Sequence, residues 1–151
     1  MDGRHLPEGW NVTAAILAIF CATWPAALPH QIERAADRAG APAELVAATV
    51  GAESTCDNRK TSRRGAVGLM MLLPGGSAAR GHSAKQLRRV RLNLRLGAEH
   101  VARCLQLCNG DWEGAVALYS GVPRETVDGT PQCRSTKWSR WVVGGIERAR
   151  P

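Results

Sequence analysis

A mainly α-helical single domain is the fold class that this sequence predicts, and three observations predict it. Apolar residues recur at helical spacing from Leu28 onward, no alternating strand pattern of any length competes, and 151 residues is the size of one domain with one core. The exception is Thr61 to Val67, whose polar residues and glycine predict a short irregular or hairpin element.

The elements follow in chain order. Trp10 to Pro29 carries no charged side chain, so residues 1–28 read as an N-terminal apolar segment with three open interpretations: an export signal, a membrane anchor or a packed helix. Asp2 and Glu8 flank Arg4, which leaves no positive leader, Pro25 interrupts the run, and Phe20 is too large to precede a lipid-modified Cys21. The main domain is expected over 29–151. His30 to Ala39 places Ile32, Ala35, Ala36 and Ala39 on one helical face that Gly40 ends. Pro42 opens a second helix in which Leu45, Val46, Thr49 and Val50 share a face, and Glu53 projects from that same face. Leu94, Gly97, Ala98, Val101, Cys104, Leu105 and Cys108 form a long stripe ending at Asn109 and Gly110. Asp111 is expected to cap a helix carrying Trp112, Ala115, Val116 and Tyr119, and a loop from Pro123 to Pro131 follows. Ser135 then starts a last helix with Trp138, Trp141 and Val142 turned inward.

Composition bounds the function. A hydrophobic fraction of 44% and a charged fraction of 22% are ordinary for a globular chain. The net charge of +7 favours polyanions without choosing among them, and its clusters (Arg59, Lys60, Arg63, Arg64; Arg88, Arg89, Arg91, Arg95) read first as solvated faces. No zipper, helix-turn-helix spacing or aromatic RNA-binding signature accompanies them, so nucleic acid is not the expected partner. Five cysteines indicate an oxidising compartment, and the odd count leaves one unpaired within a monomer. His100, Cys104, Cys108 and Cys133 have the residue types of a zinc set; without tight CxxC knuckles, disulfides are the better reading, and no metal is expected.

The chemistry centres on Glu53. A carboxyl on an apolar face at a helix C-terminus loses hydration on ionising and meets the negative end of the dipole, and both effects raise its pKa. That is the tuning a general acid needs near neutral pH, although capping or pairing with Arg63 or Arg64 explains an isolated acid equally well.

Its neighbours add a resemblance. Glu53-Ser54, Ser62, GAVGLM from Gly65 to Met70, Pro74, then Asn93 and Gly97, then GDWEGAVALYSG resemble, in order and spacing, the soluble lytic transglycosylases, relatives of goose-type lysozyme. Upstream, HQIERAADRAGAPAELVAATVGAES is similar to that family's paired entry helices, so the resemblance covers roughly residues 28–143. It implies a lysozyme-like fold with the irregular element by the cleft, and a reaction at the β-1,4 bond between N-acetylmuramic acid and N-acetylglucosamine. Glu53 would be the only catalytic acid and base, supported by Ser54, giving a 1,6-anhydro product with no cofactor. Gly68, Leu69 and Met70 would wall the glycan cleft, with glycine admitting sugar close to the backbone. Tyr119 would lie near the acid and the bound sugar, while Asn93 and Gly97 would support the fold.

Two departures bear on substrate contact: Met71 stands where the family has glutamine, and Ser120 where it has asparagine. They keep two alternatives open, a hydrolytic lysozyme and a catalytically silent peptidoglycan-binding or envelope-scaffolding module. The resemblance implies peptidoglycan strands as partner and a periplasmic or extracellular site, membrane-anchored or bacteriophage-associated in some settings, and leaves the oligomeric state open. Among the cysteines, a bridge from Cys133 to Cys108 or Cys104 is expected, pinning the loop after Tyr119 to the preceding helix.

Overall fold

The computed structural model describes residues 9–121 and 132–151. Seven helices account for its regular structure: α1 (Val12–Phe20), α2 (Leu28–Ala39), α3 (Ala43–Ser54), α4 (Ala84–Leu87), α5 (Val90–Leu107), α6 (Trp112–Tyr119) and α7 (Lys137–Ala149). Extended pairing among the described residues is limited to two antiparallel bridges, Thr61 with Val67 and Val67 with Leu72, which make the expected hairpin-like element. The loop expected from Pro123 to Pro131 lies outside the described residues.

Helix α3 is the axis of the fold. It packs against α1, α2, α5 and α7, and every residue from Leu45 to Gly51 is buried. The sequence predicted one apolar face; the runs of alanine and valine instead let neighbours close on all sides, because a small side chain admits another helix wherever it points. The boundaries follow local chemistry. Gly40 ends α2 in the left-handed region at φ 70°, and Pro42 occupies the N-cap of α3. Helix α4 rests on a reciprocal capping box between Ser83 and Gln86, and α7 on one between Thr136 and Ser139, so the last helix begins two residues after Ser135. Asp111 holds the N-cap position of α6, but its side chain makes no capping hydrogen bond.

Helix α1 packs into this core rather than standing apart from it. Ile16 and Leu17 are buried, and the Phe20 ring fits between Gly51 of α3 and Gly145 of α7. A Cβ at these glycines would come within 2.6 Å and 2.3 Å of Phe20 atoms, so both helices approach α1 more closely than alanine allows. Trp141 is 47% exposed instead of turned inward; it meets the Phe20 ring edge-on at 5.0 Å. Among the described residues no helix is long and apolar enough to cross a membrane.

Two disulfides close the structure. Cys108–Cys133 joins the end of α5 to the approach to α7, in line with the expected bridge. Cys21–Cys56, which the sequence did not disclose, ties the end of α1 to the residues just beyond Glu53. Cys104 is the free, buried cysteine. With Cys108 and Cys133 bonded to each other, the set weighed as a zinc site has lost two of its thiolates.

Candidate active site

Glu53 is the next-to-last residue of α3, and the chain leaves that helix through two left-handed residues, Thr55 at φ 51° and Cys56 at φ 63°. Non-glycine residues adopt that region at a cost, and here the bond to Cys21 holds the second of them in place. The result is an acid fixed at the end of a fully packed helix, its own side chain half-buried. Burial raises its pKa from about 4.5 to about 7, and the positive charge of Lys60 only partly opposes this. No hydrogen bond or ion pair involves the Glu53 carboxyl among the described residues, so only the field of Lys60 favours its ionised form. The adjacent acid is its opposite. Asp57 accepts hydrogen bonds from the Arg59 backbone N–H and Nε at 2.9 and 3.1 Å, which hold its carboxyl below the usual range.

The facing wall runs from Lys60 to Met71 and is held by one buried amide. Asn93 of α5 accepts from the Met70 N–H at 2.8 Å and donates to the carbonyls of Val67 and Leu87 at 3.0 and 2.9 Å. Gly68, at φ 86°, lies against it, where a Cβ would come within 2.8 Å of the amide carbon. Four residues further along α5, a Cβ on Gly97 would overlap the Met70 side chain. Tyr119, at the end of α6, completes the wall by donating its hydroxyl to the Met70 carbonyl at 2.7 Å. Burial, then the nearby Glu53 charge, keep that phenol protonated well above its ordinary pKa. Tyr119 and Glu53 therefore lie within electrostatic reach of each other.

Beyond Tyr119 opens a pocket of about 360 Å³ lined by Arg64, Met71, Leu73, Ser77, His100 and Ser120 among others. Glu53 is not part of this lining. The His100 ring lies 5.0 Å from the Tyr119 ring, and burial lowers its pKa to about 4, so it is neutral at pH 7. Sequence reasoning weighed His100 only as a metal ligand. Its place next to the inward stripe of α5, between Gly97 and Val101, was the signal for a cleft position.

The residues expected in the site divide into two groups. Met71, Tyr119 and Ser120 line the pocket, with Ser120 donating its hydroxyl back to the Ala117 carbonyl, and Glu53 lies outside the lining within electrostatic reach of Tyr119. Ser54, Leu69 and Met70 do not offer side chains to it. Ser54 is fully buried and donates to the Val50 carbonyl at 2.9 Å, because its position places it inside the helix bundle. Leu69 and Met70 are 2% and 0% exposed, so the Leu-Met pair serves the core and only its backbone can face a ligand. Gly68 is required by Asn93, a different reason from the close approach of sugar.

A mainly helical domain whose central helix ends in a half-buried carboxyl of raised pKa falls in the class of lysozyme-like folds. The chain belongs to the transglycosylase SLT domain family, whose model matches residues 30–130. Among curated proteins none matches it. It is similar in fold to an inactive glutamate-to-glutamine mutant of the lytic transglycosylase Slt from Pseudomonas aeruginosa, with a TM-score of 0.64 and 24% identity. That match covers 83% of this chain and 23% of the Pseudomonas protein, so the chain spans about a quarter of the relative's length.

Proposed function

We propose that this protein is a peptidoglycan lytic transglycosylase in which Glu53 acts first as general acid and then as base. The observation that carries the reading is the Glu53 proton, retained to about pH 7 by burial at the end of α3. Glu53 gives that proton to the oxygen bridging N-acetylmuramic acid and N-acetylglucosamine, and the C1–O4 bond breaks. The muramoyl acetamido group stabilises the oxocarbenium-like centre. The Glu53 carboxylate then removes the proton from the sugar's own 6-hydroxyl as O6 bonds to C1, so the acid is regenerated and the product is a 1,6-anhydro sugar. No second carboxylate is needed, which fits the engagement of Asp57 with Arg59. Tyr119, protonated and bound to Met70, positions the wall against the sugar. That the Pseudomonas relative is inactivated by exchanging one glutamate for glutamine supports a single essential carboxyl. The two disulfides support an envelope or extracellular workplace.

Mass spectrometry of muropeptides released from sacculi tests the reading. Anhydro ends are the expected product; reducing muramic acid ends would make the protein a hydrolytic lysozyme. Binding without release would favour the silent module, a reading supported by Met71 and by the inward-turned Ser120 hydroxyl.

A further inference from the structure

A second concavity does not include Glu53 in its lining. It is a groove of about 510 Å³ between α2 and α5, with Ala35, Leu92 and Leu94 among its lining and Arg34, Arg38, Arg91 and Arg95 around it. The arginines sit in pairs four residues apart, so each helix presents two guanidinium groups one turn apart along the same groove. All four are exposed, and none makes a side-chain hydrogen bond or ion pair among the described residues. The acids of these two helices, Glu33, Asp37 and Glu99, do not line the groove. Four converging cations with no internal partner across a partly apolar surface make a site complementary to a ligand bearing both carboxylates and small apolar groups. A bare phosphate backbone would leave the apolar part unused.

We propose that this groove binds the short acidic peptide that peptidoglycan carries on its muramic acid, so that the protein holds its substrate at two points. The proposal rests on the reading of Glu53 as acting on that glycan. Helix α5 joins the two points: Asn93 and His100 face the cleft side, while Arg91 and Arg95 flank the groove. A helix is about 10–12 Å across with its side chains. An extended pentapeptide reaches about 17 Å, so a peptide attached to a sugar in the cleft is long enough to pass over α5. Its alanine methyls suit Ala35 and Leu92, and its carboxylates suit the arginine forks.

The test compares the wild-type protein with the fourfold variant Arg34→Gln, Arg38→Gln, Arg91→Gln, Arg95→Gln on intact sacculi and on the same glycan strands stripped of peptide by an amidase. Exposed pairs are individually weak, so four together predict about a tenfold loss of sedimentation with intact sacculi. On stripped strands the two proteins should bind and cleave equally, which also reports that the variant is folded. Equal binding of both proteins to intact sacculi overturns the proposal. So does a loss that is as large on stripped strands, or one confined to vesicles of anionic phospholipid. If anhydro ends never form but binding to intact sacculi still depends on the arginines, the reaction fails and the groove stands. If anhydro ends form and removal of the peptide changes nothing, the groove fails and the reaction stands.

Discussion

The two sides of the cleft are held by different physics. Glu53 stands on α3, a helix enclosed by apolar packing and locked at its exit by Cys21–Cys56. The wall from Lys60 to Met71 has almost no regular structure and hangs on the buried amide of Asn93 and the hydroxyl of Tyr119. Packing is non-directional and tolerates small adjustments, whereas an amide that must accept from one group and donate to two others fixes the backbone to a few tenths of an ångström. The acid is thus carried on a rigid post, and the backbone of the wall is set by hydrogen bonds.

The largest effect separates chemistry from scaffold on the post itself. Glu53→Gln keeps the shape and removes the transferable proton, and release of muropeptides should fall by about 10³-fold or more while the far-UV circular dichroism is unchanged. Retention of a tenth of the activity would mean that the acid is elsewhere.

Removing the lock comes next. Cys21→Ser with Cys56→Ser opens a loop of 35 residues and should cost about 3–4 kcal/mol in denaturant unfolding. Because Cys56 follows Glu53 by three residues, activity should fall at temperatures well below unfolding. The pair Cys108→Ser and Cys133→Ser, with a separation of 25, should cost a similar amount of stability with less effect on turnover.

On the wall side, Asn93→Ala leaves the Met70 N–H and the Val67 and Leu87 carbonyls without their partner, at a cost of about 3 kcal/mol. If stability falls but kcat/KM on strands is preserved, hydrogen bonding does not set the geometry of the wall.

The Glu53 pKa gives a smaller effect of opposite sign. Between about pH 4.5 and 7 the unfolded chain gives up a proton that the folded protein retains, so the contribution of Glu53 to stability is present at low pH and lost as pH rises through that window. Allowing for partial exposure, this amounts to about 2 kcal/mol. Glu53→Gln should therefore be more stable than wild type at pH 8 and equal to it at pH 4, measured by chemical unfolding. The wild-type activity should decline above about pH 7 as the proton is lost.

The same division explains what could be read from the sequence. The post was legible because its cues are local: Gly40, Pro42 and the spacing from Val46 to Glu53 locate α2, α3 and the acid. Its enclosure on all sides was not, since alanine and valine runs do not reveal how many neighbours will arrive. The irregular course of the wall was legible at Thr61 to Val67 from its polar residues and glycine, but its part in a site only through family resemblance, which named Gly68, Leu69 and Met70 without their reasons. Those reasons depend on residues 23 to 49 positions away, where Asn93 accepts from the Met70 N–H and Tyr119 donates to the Met70 carbonyl. Cys21–Cys56 was hidden for a similar reason, because pairing depends on how α1 returns to α3. The arginine pairs of α2 and α5 look like ordinary solvated charge until the helices lie side by side.

Tyr119→Phe is the finest test of the difference between post and wall. It removes a single oxygen and leaves the ring, so the packing against His100 at 5.0 Å persists while the Met70 carbonyl loses its donor. One buried carbonyl without its partner predicts a loss of about 1 kcal/mol in stability. If the hydroxyl acts by holding the wall, kcat/KM should fall by less than about tenfold and the descent of activity above pH 7 should keep its midpoint, because burial, and not a hydrogen bond from the hydroxyl, raises the Glu53 pKa. A shifted midpoint would instead couple the phenol directly to the acid, and the two sides of the cleft would then form one electrostatic unit.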